Sequence, residues 1–228
     1  MVTQRRLLWL AIWTIVVMFL TFLTGCYPFQ RGLPVDRSIL TDDPCAAPCW
    51  QGIVPGVTTS TEAADILMTL EFIEPSSLWS FGDDLRWRTS ASQEDPAIVS
   101  EIRSRDGLVS FMEIGVDFEL ALQDILEKYG PPEKVLAYES AREERIQTEI
   151  YFYYPQQGLV FVSWASGPVP VSEFFMLDAT TPITVIYYFA PTTIDEWFDE
   201  HPEIEHRVRF GRGYLRDWSG LGPIEVLH

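Results

Sequence analysis

Chemistry in these 228 residues has to be sought first among histidines, paired acids, serines and glycine-rich turns. The sole candidate metal cluster is His201 and His206 with Glu203 and Glu205. Its H-x-x-x-x-H spacing across Pro202 does not bring both imidazoles onto one helical face, and zinc needs several convergent ligands, so no metal is expected. Asp42-Asp43, Asp83-Asp84 and Glu143-Glu144 are adjacent acids. Sequence neighbours point in different directions on a strand or a helix, so these read as solvated surface and not as catalytic dyads. No Gly-x-Ser-x-Gly elbow is present, and Ser166-Gly167 and Ser219-Gly220 sit in ordinary loop sequence. Gly211-Arg212-Gly213 and Gly220-Leu221-Gly222 are too short to cradle phosphate, and an Asp-x-Asp-x-Asp-Gly calcium loop is missing. These residues predict no catalytic set and no cofactor.

The chain is strongly acidic, with a formal charge of −17, which disfavours nucleic acid and bare anionic membrane as partners. Against that background Arg207, Arg209, Arg212 and Arg216 interleave with Phe210, Tyr214 and Trp218. On a strand, Arg207 and Arg209 share one face while Val208 and Phe210 take the other. Two readings stay open. One is a half-buried edge strand whose arginines pair with the protein's own acids. The other makes Arg207, Arg209, Arg212, Arg216, Tyr214 and Trp218 a docking patch for an envelope protein or an anionic cell-wall component, because Arg and aromatic residues recur at binding hot spots.

The N-terminus supplies an address. Arg5 and Arg6 precede residues 7–22, which are apolar apart from Thr14 and Thr21, and small residues follow; this is the order of a secretory signal. The arginines stay in the cytoplasm, so everything after the apolar run is delivered outside. Leu23-Thr24-Gly25-Cys26 resembles the lipobox of bacterial lipoproteins. In that family the matching thiol receives a diacylglyceryl group, the preceding peptide is removed, and the new amine can be acylated. The resemblance implies lipidation at Cys26, loss of residues 1–25 as signal peptide, and anchoring to the extracytoplasmic side of the cell membrane by several acyl chains. Loss of Arg5 and Arg6 would take the charge to about −19. The alternative is that residues 7–23 stay as a transmembrane helix at the lower limit of spanning length. Both place residues 27–228 on the outer face. Tyr27 follows the cysteine where an inner-membrane retention signal would have Asp, so an outer membrane stays open as destination.

With Cys26 lipidated, Cys45 and Cys49 remain as an even pair in an oxidising compartment. A local disulfide is the leading expectation. Free thiols are the alternative, and C-x-x-x-C spacing speaks against a redox role. Residues 26–50, rich in Pro and Asp without helical or alternating pattern, read as a lipid-anchored tether. Residues 51–228 read as a single domain.

Within that domain Thr59 and Glu62 have capping-box spacing ahead of a helix with Ala63, Ile66, Leu67 and Leu70 on one stripe. A second copy is expected about 59 residues later, capped by Asp117, with Phe118, Leu122, Ile125, Leu126 and Tyr129 as its stripe and Gly130-Pro131-Pro132 as its stop. Strands are expected at residues 85–88, 98–103, 108–114, 134–138, 149–154, 159–164, 174–177 and 183–189. Hairpin turns are expected at 155–158 and 178–182. A last short helix should begin at Thr192 or Thr193 and carry Ile194, Trp197 and Phe198. The expected fold class is α+β: an antiparallel sheet with two or three helices packed on one face and a duplicated helix-plus-strands unit. The other face is free to be wet. Tyr151, Tyr153, Trp164, Tyr187 and Tyr188 then serve either as packing or as an exposed aromatic face that receives a partner.

Gly115-Val116-Asp117, a helix, then Gly130-Pro131-Pro132 and a strand, with Gly56-Val57-Thr58 before the first helix, is similar to small outer-membrane lipoproteins that help assemble β-barrel proteins. It is similar also to the β-lactamase-inhibitor-protein repeat. The resemblance covers residues 55–70 and 115–138. The first copy departs from it, with Glu71-Phe72-Ile73-Glu74-Pro75 in place of Gly-x-Pro. It implies helices packed on a sheet and non-catalytic binding of a protein partner. The segment from Pro44 to Ile53, followed by Pro55-Gly56, also resembles lipoproteins of filamentous green bacteria, which imply no activity. The expected function is an exported, lipid-anchored envelope protein acting as a non-catalytic binding or scaffold module. The alternative is an extracytoplasmic hydrolase or sensor module with a site assembled from distant residues.

Overall fold

The structure, a computed structural model, describes residues 34–88, 99–142, 145–167, 174–200 and 215–226. In chain order its elements are helices α1 (Ser38–Thr41) and α2 (Ser60–Leu67), strands β1 (Trp79–Phe81), β2 (Asp84–Trp87), β3 (Ser100–Arg105) and β4 (Leu108–Gly115), and helix α3 (Leu122–Tyr129). Strands β5 (Lys134–Arg142), β6 (Arg145–Tyr154), β7 (Leu159–Gly167), β8 (Phe174–Leu177) and β9 (Val185–Phe189) follow. Helix α4 (Ile194–Glu200) and strands β10 (Arg216–Asp217) and β11 (Gly222–Glu225) close the order.

Residues 150–154, 159–162 and 185–189 are buried at every position. Strands that do not alternate apolar with polar residues have to be covered on both faces. They form the middle of a nine-stranded antiparallel sheet ordered β1-β2-β3-β4-β9-β7-β6-β5-β10. The β9 strand joins two meanders, pairing with β4 on one side and β7 on the other. Strands β8 and β11 form a separate antiparallel ribbon. In β4 the partner register skips Ser110, whose hydroxyl donates to the Arg103 carbonyl at 3.2 Å. This bulge sends Val109 and Phe111, two residues apart, into opposite layers.

One layer holds Ile150, Phe152, Phe161 and Tyr188 beneath Ile39 of α1, Ala63 and Leu67 of α2, and Leu122 and Ile125 of α3. The other holds Tyr151, Tyr153, Val160 and Tyr187 beneath Trp197 and Phe198 of α4. Two capping boxes set helix entry: Thr59 with Glu62 for α2, and Thr193 with Glu196 for α4.

The expected α+β arrangement is overturned. The molecule is sheet-dominated, and its helices are one to two turns long, too short to form a layer of their own. They are not confined to one face, because α4 covers the side expected to be wet. The duplicated unit fails on register: α2 is capped at Thr59 but α3 at Ala121, whose N–H donates to Asp124, three positions beyond where the repeat would place it. Asp117 is therefore not the cap. The stop at Gly130 holds, with φ +75. Residues 155–158 do turn the β6–β7 hairpin. Residues 178–182 do not make a hairpin, because β8 pairs with β11. The carbonyls of Thr181 and Ala179 accept from Leu122 and Gln123 at the start of α3 instead.

The segment read as tether packs on the sheet from Asp36 onward. The Asp36 carboxylate accepts from Trp50 Nε1 at 2.6 Å, Gln51 Nε2 at 2.9 Å and the Ser38 N–H at 2.9 Å. Lys128 Nζ and the Tyr129 hydroxyl both donate to the Ile39 carbonyl, at 2.7 and 3.2 Å. Among the described residues no helix is long and apolar enough to cross a membrane.

Candidate functional site

The short β10 strand is positioned by two pairings with the start of β5, Arg216 opposite Val135 and Asp217 opposite Lys134. Trp218 follows and is held edge-on against Phe152, ring centres 6.2 Å apart. The chain then reverses through Gly220 and Gly222, with φ of +99 and +135, conformations that glycine adopts without cost. It re-enters as β11 beside β8. The ribbon has an inner face, where Leu177, Phe175 and Ile224 pack on the core, and an outer face that leaves Met176 64% exposed.

Between this ribbon and the β5–β10 corner lies a groove of ≈ 340 Å³, the lower end of the range for ligand sites. Val135, Leu177, Ile224 and Trp218 give it apolar walls, and Arg216, Asp217 and Glu225 give it a polar rim. Arg216 reaches Glu225 at 3.4 Å, and Lys134 hydrogen-bonds Asp217. That bond holds the Asp217 carboxyl below the usual carboxylate range and raises the Lys134 ammonium. Leu221, half exposed, extends the apolar surface beside the loop.

Of the six residues of the expected docking patch, Arg216 and Trp218 lie on this groove. Arg207, Arg209, Arg212 and Tyr214 fall outside the described residues, as do Cys26, the signal segment, His201, Glu203, Glu205, His206 and the Glu143-Glu144 pair. Cys45 and Cys49 are joined in a disulfide, and Cys45 Sγ accepts from the Gly52 N–H at 3.4 Å. The bridge steadies the approach to Trp50, which stacks on Trp87 with centroids 5.6 Å apart.

One member of each described acidic pair serves structure: Asp84 accepts from the Ser104 N–H at 3.0 Å, and Asp42 pairs with Lys128. The dense tyrosines divide between the two cores. Burial raises the hydroxyls of Tyr151, Tyr153 and Tyr188, so they stay protonated at neutral pH and supply no base. Among the described residues no group of three His, Cys, Asp or Glu is placed to hold a metal ion. The arrangement can hold a ligand between apolar walls and orient it by charges of both signs. Met176 and Leu221 escaped the sequence reading because the 174–177 strand is apolar on both faces, which hides the side left uncovered.

No protein-family model matches the chain, and no similar protein was found among curated proteins or solved structures.

Proposed function

We propose that this is an exported envelope protein, lipidated at Cys26 and held on the extracytoplasmic side of the membrane, that binds a protein partner without catalysing a reaction. The observation carrying the binding role is the groove beside β10. Its walls are apolar, its rim is charged with both signs, and the half-exposed Phe174 lines it. An apolar centre inside a polar rim is the anatomy of a protein interface. The occupant we assign is an extended segment of the partner, seating apolar side chains against Trp218, because the groove is bounded by strands and extended chains dock beside strands. Anchoring rests on the basic and apolar N-terminus and the Leu23-Thr24-Gly25-Cys26 motif.

Two measurements test this. Cys26→Ser should move the protein out of the lipid-modified membrane pool, read by incorporation of labelled fatty acid; unchanged labelling refutes the anchor. A photo-crosslinker at position 174 of the full-length protein should trap a partner in membranes, and Trp218→Ala should cut its yield roughly tenfold, the loss of one hot spot. Equal yield with Trp218→Ala, in a variant that melts like the parent, refutes the groove.

A further inference from the structure

A second, smaller cavity lies beneath the segment around Asp36 and Ile39 and shares no lining residue with the groove. It measures ≈ 20 Å³ and is walled by Trp50, Phe72, Trp87 and Tyr188 and roofed by Asp36 and Ile39. That space holds about one water. Trp87 is fully buried, yet its Nε1–H has no acceptor. A buried donor without a partner is a cost that folded proteins rarely tolerate unless something else completes it. The nearest carboxylate of the roof, Asp36, already accepts three hydrogen bonds, from Trp50, Gln51 and Ser38.

The roof is attached differently from the walls. It is the segment Asp36 to Asp42, carried by the one-turn helix α1, which has no side-chain cap. Polar hooks hold it at both ends and in the middle: Asp36 on Trp50 and Gln51, Lys128 with Tyr129 on the Ile39 carbonyl, and Lys128 on the Asp42 carboxylate. Val35 just before it is exposed, Leu40 within it is half-buried, and Ile39 is its one buried aliphatic side chain. Lifting this segment removes a branched side chain from an aromatic cavity whose walls are Trp87 and Tyr188 of the sheet and Trp50 and Phe72 of the loops on either side of α2.

We propose that Asp36–Asp42 is a removable cover over a second binding site, and that the site takes a small neutral apolar molecule bearing a hydrogen-bond acceptor, of the aromatic-ketone type. Aromatic walls select a flat apolar body. The Trp87 donor selects an acceptor, and the strongly negative charge of the chain disfavours an anion. Opening the cover draws on the energy of that ligand, so weakening the hooks raises apparent affinity by removing the closed population.

The test uses acetophenone, with ethylbenzene as a control of the same shape lacking the acceptor, added to the full-length protein in detergent. Hydrogen exchange reads the cover through the Leu40 and Asp42 amides, which donate to the Arg37 and Ser38 carbonyls. Indole NMR reads the Trp87 Nε1–H, assigned by its disappearance in Trp87→Phe. Acetophenone should speed exchange in the cover and shift the Trp87 resonance, and ethylbenzene should leave that resonance in place. Asp36→Ala and Lys128→Ala, releasing opposite ends of the cover, should each tighten acetophenone binding roughly tenfold. A cavity that holds only water gives an unmoved Trp87 resonance and unchanged cover exchange in the parent and in whichever hook variant keeps native exchange in β6 and β7. That result overturns the proposal.

Discussion

At the scale of single residues, Gly158 carries the sharpest constraint. It ends the β6–β7 turn with φ +66, and a Cβ there would sit 2.2 Å from the Phe189 carbonyl oxygen and 2.8 Å from Pro48 Cβ. Neither neighbour is the loose end of a flexible side chain: Phe189 ends the strand at the centre of the sheet, and Pro48 lies inside the disulfide loop. Gly158→Ala should therefore cost about 3 kcal/mol, combining left-handed strain with overpacking. Gly107 has φ +75 with nothing within 4 Å, so Gly107→Ala should cost only about 1 kcal/mol. Urea unfolding of both variants checks the comparison; equal losses would show that contact at Gly158 is relieved cheaply. The Cys45–Cys49 bridge closes a short loop, so Cys49→Ser should remove about 2 kcal/mol on the chain-entropy view. The same loss should appear when reductant is added to the parent, and a reductant without effect on the melting curve would contradict it.

At the scale of elements, the weakest attachment is β10, which meets β5 at two positions and relies on the Lys134–Asp217 bond. Asp217 is depressed by that bond, so its contribution is complete above the ordinary carboxylate range and is lost as pH falls through the lowered folded value. Lys134 is raised, so its contribution is complete below the ordinary lysine range and is lost as pH rises through the raised folded value. Protection of the β10 amide that faces β5 should accordingly be flat between those limits and fall at each, while β6 and β7 stay protected. Asp217 is exposed and Lys134 only half-buried, so the change is local, and a β10 that keeps its protection in acid would show the bond to be incidental. The weakness of this element also explains its invisibility in sequence. The strands from Lys134 to Phe189 were legible because β-branched and aromatic residues run through them between clear turns. The β1, β10 and β11 strands, two to four residues long, give no period to detect, and a long-range pairing such as β8 with β11 leaves no local trace. The Thr59–Glu62 capping box was legible because it is complete within four residues. Neither the number of helices nor their weight was legible: stripes of apolar residues mark a helix without stating that it lasts only two turns or which face it covers, and the single turn Ser38–Thr41 has no stripe to detect. For the candidate site the sequence offered Arg216 and Trp218, and the groove between them and the ribbon exists only after β11 returns.

At the scale of the whole molecule, β9 decides whether the sheet behaves as one body. It is the last strand of the central sheet before β10, and it inserts between β4 and β7, tying a meander built from the first half of the chain to one built from the second. Its five residues feed both cores, Ile186 and Tyr188 into one and Val185, Tyr187 and Phe189 into the other. Neither meander can bury its own edge without it, since β4 and β7 would each expose a row of unpaired backbone groups. Unfolding should then be a single cooperative transition, with tryptophan fluorescence and far-ultraviolet circular dichroism coinciding in urea. Ile186→Ala, at a position 3% exposed, should lower that transition by about 3 kcal/mol. It should weaken β3–β4 and β6–β7 amide protection together, because both meanders lose the same strand. If exchange fell in one meander alone, or if the two probes separated, the halves would be independent folding units and β9 an appendage of one of them.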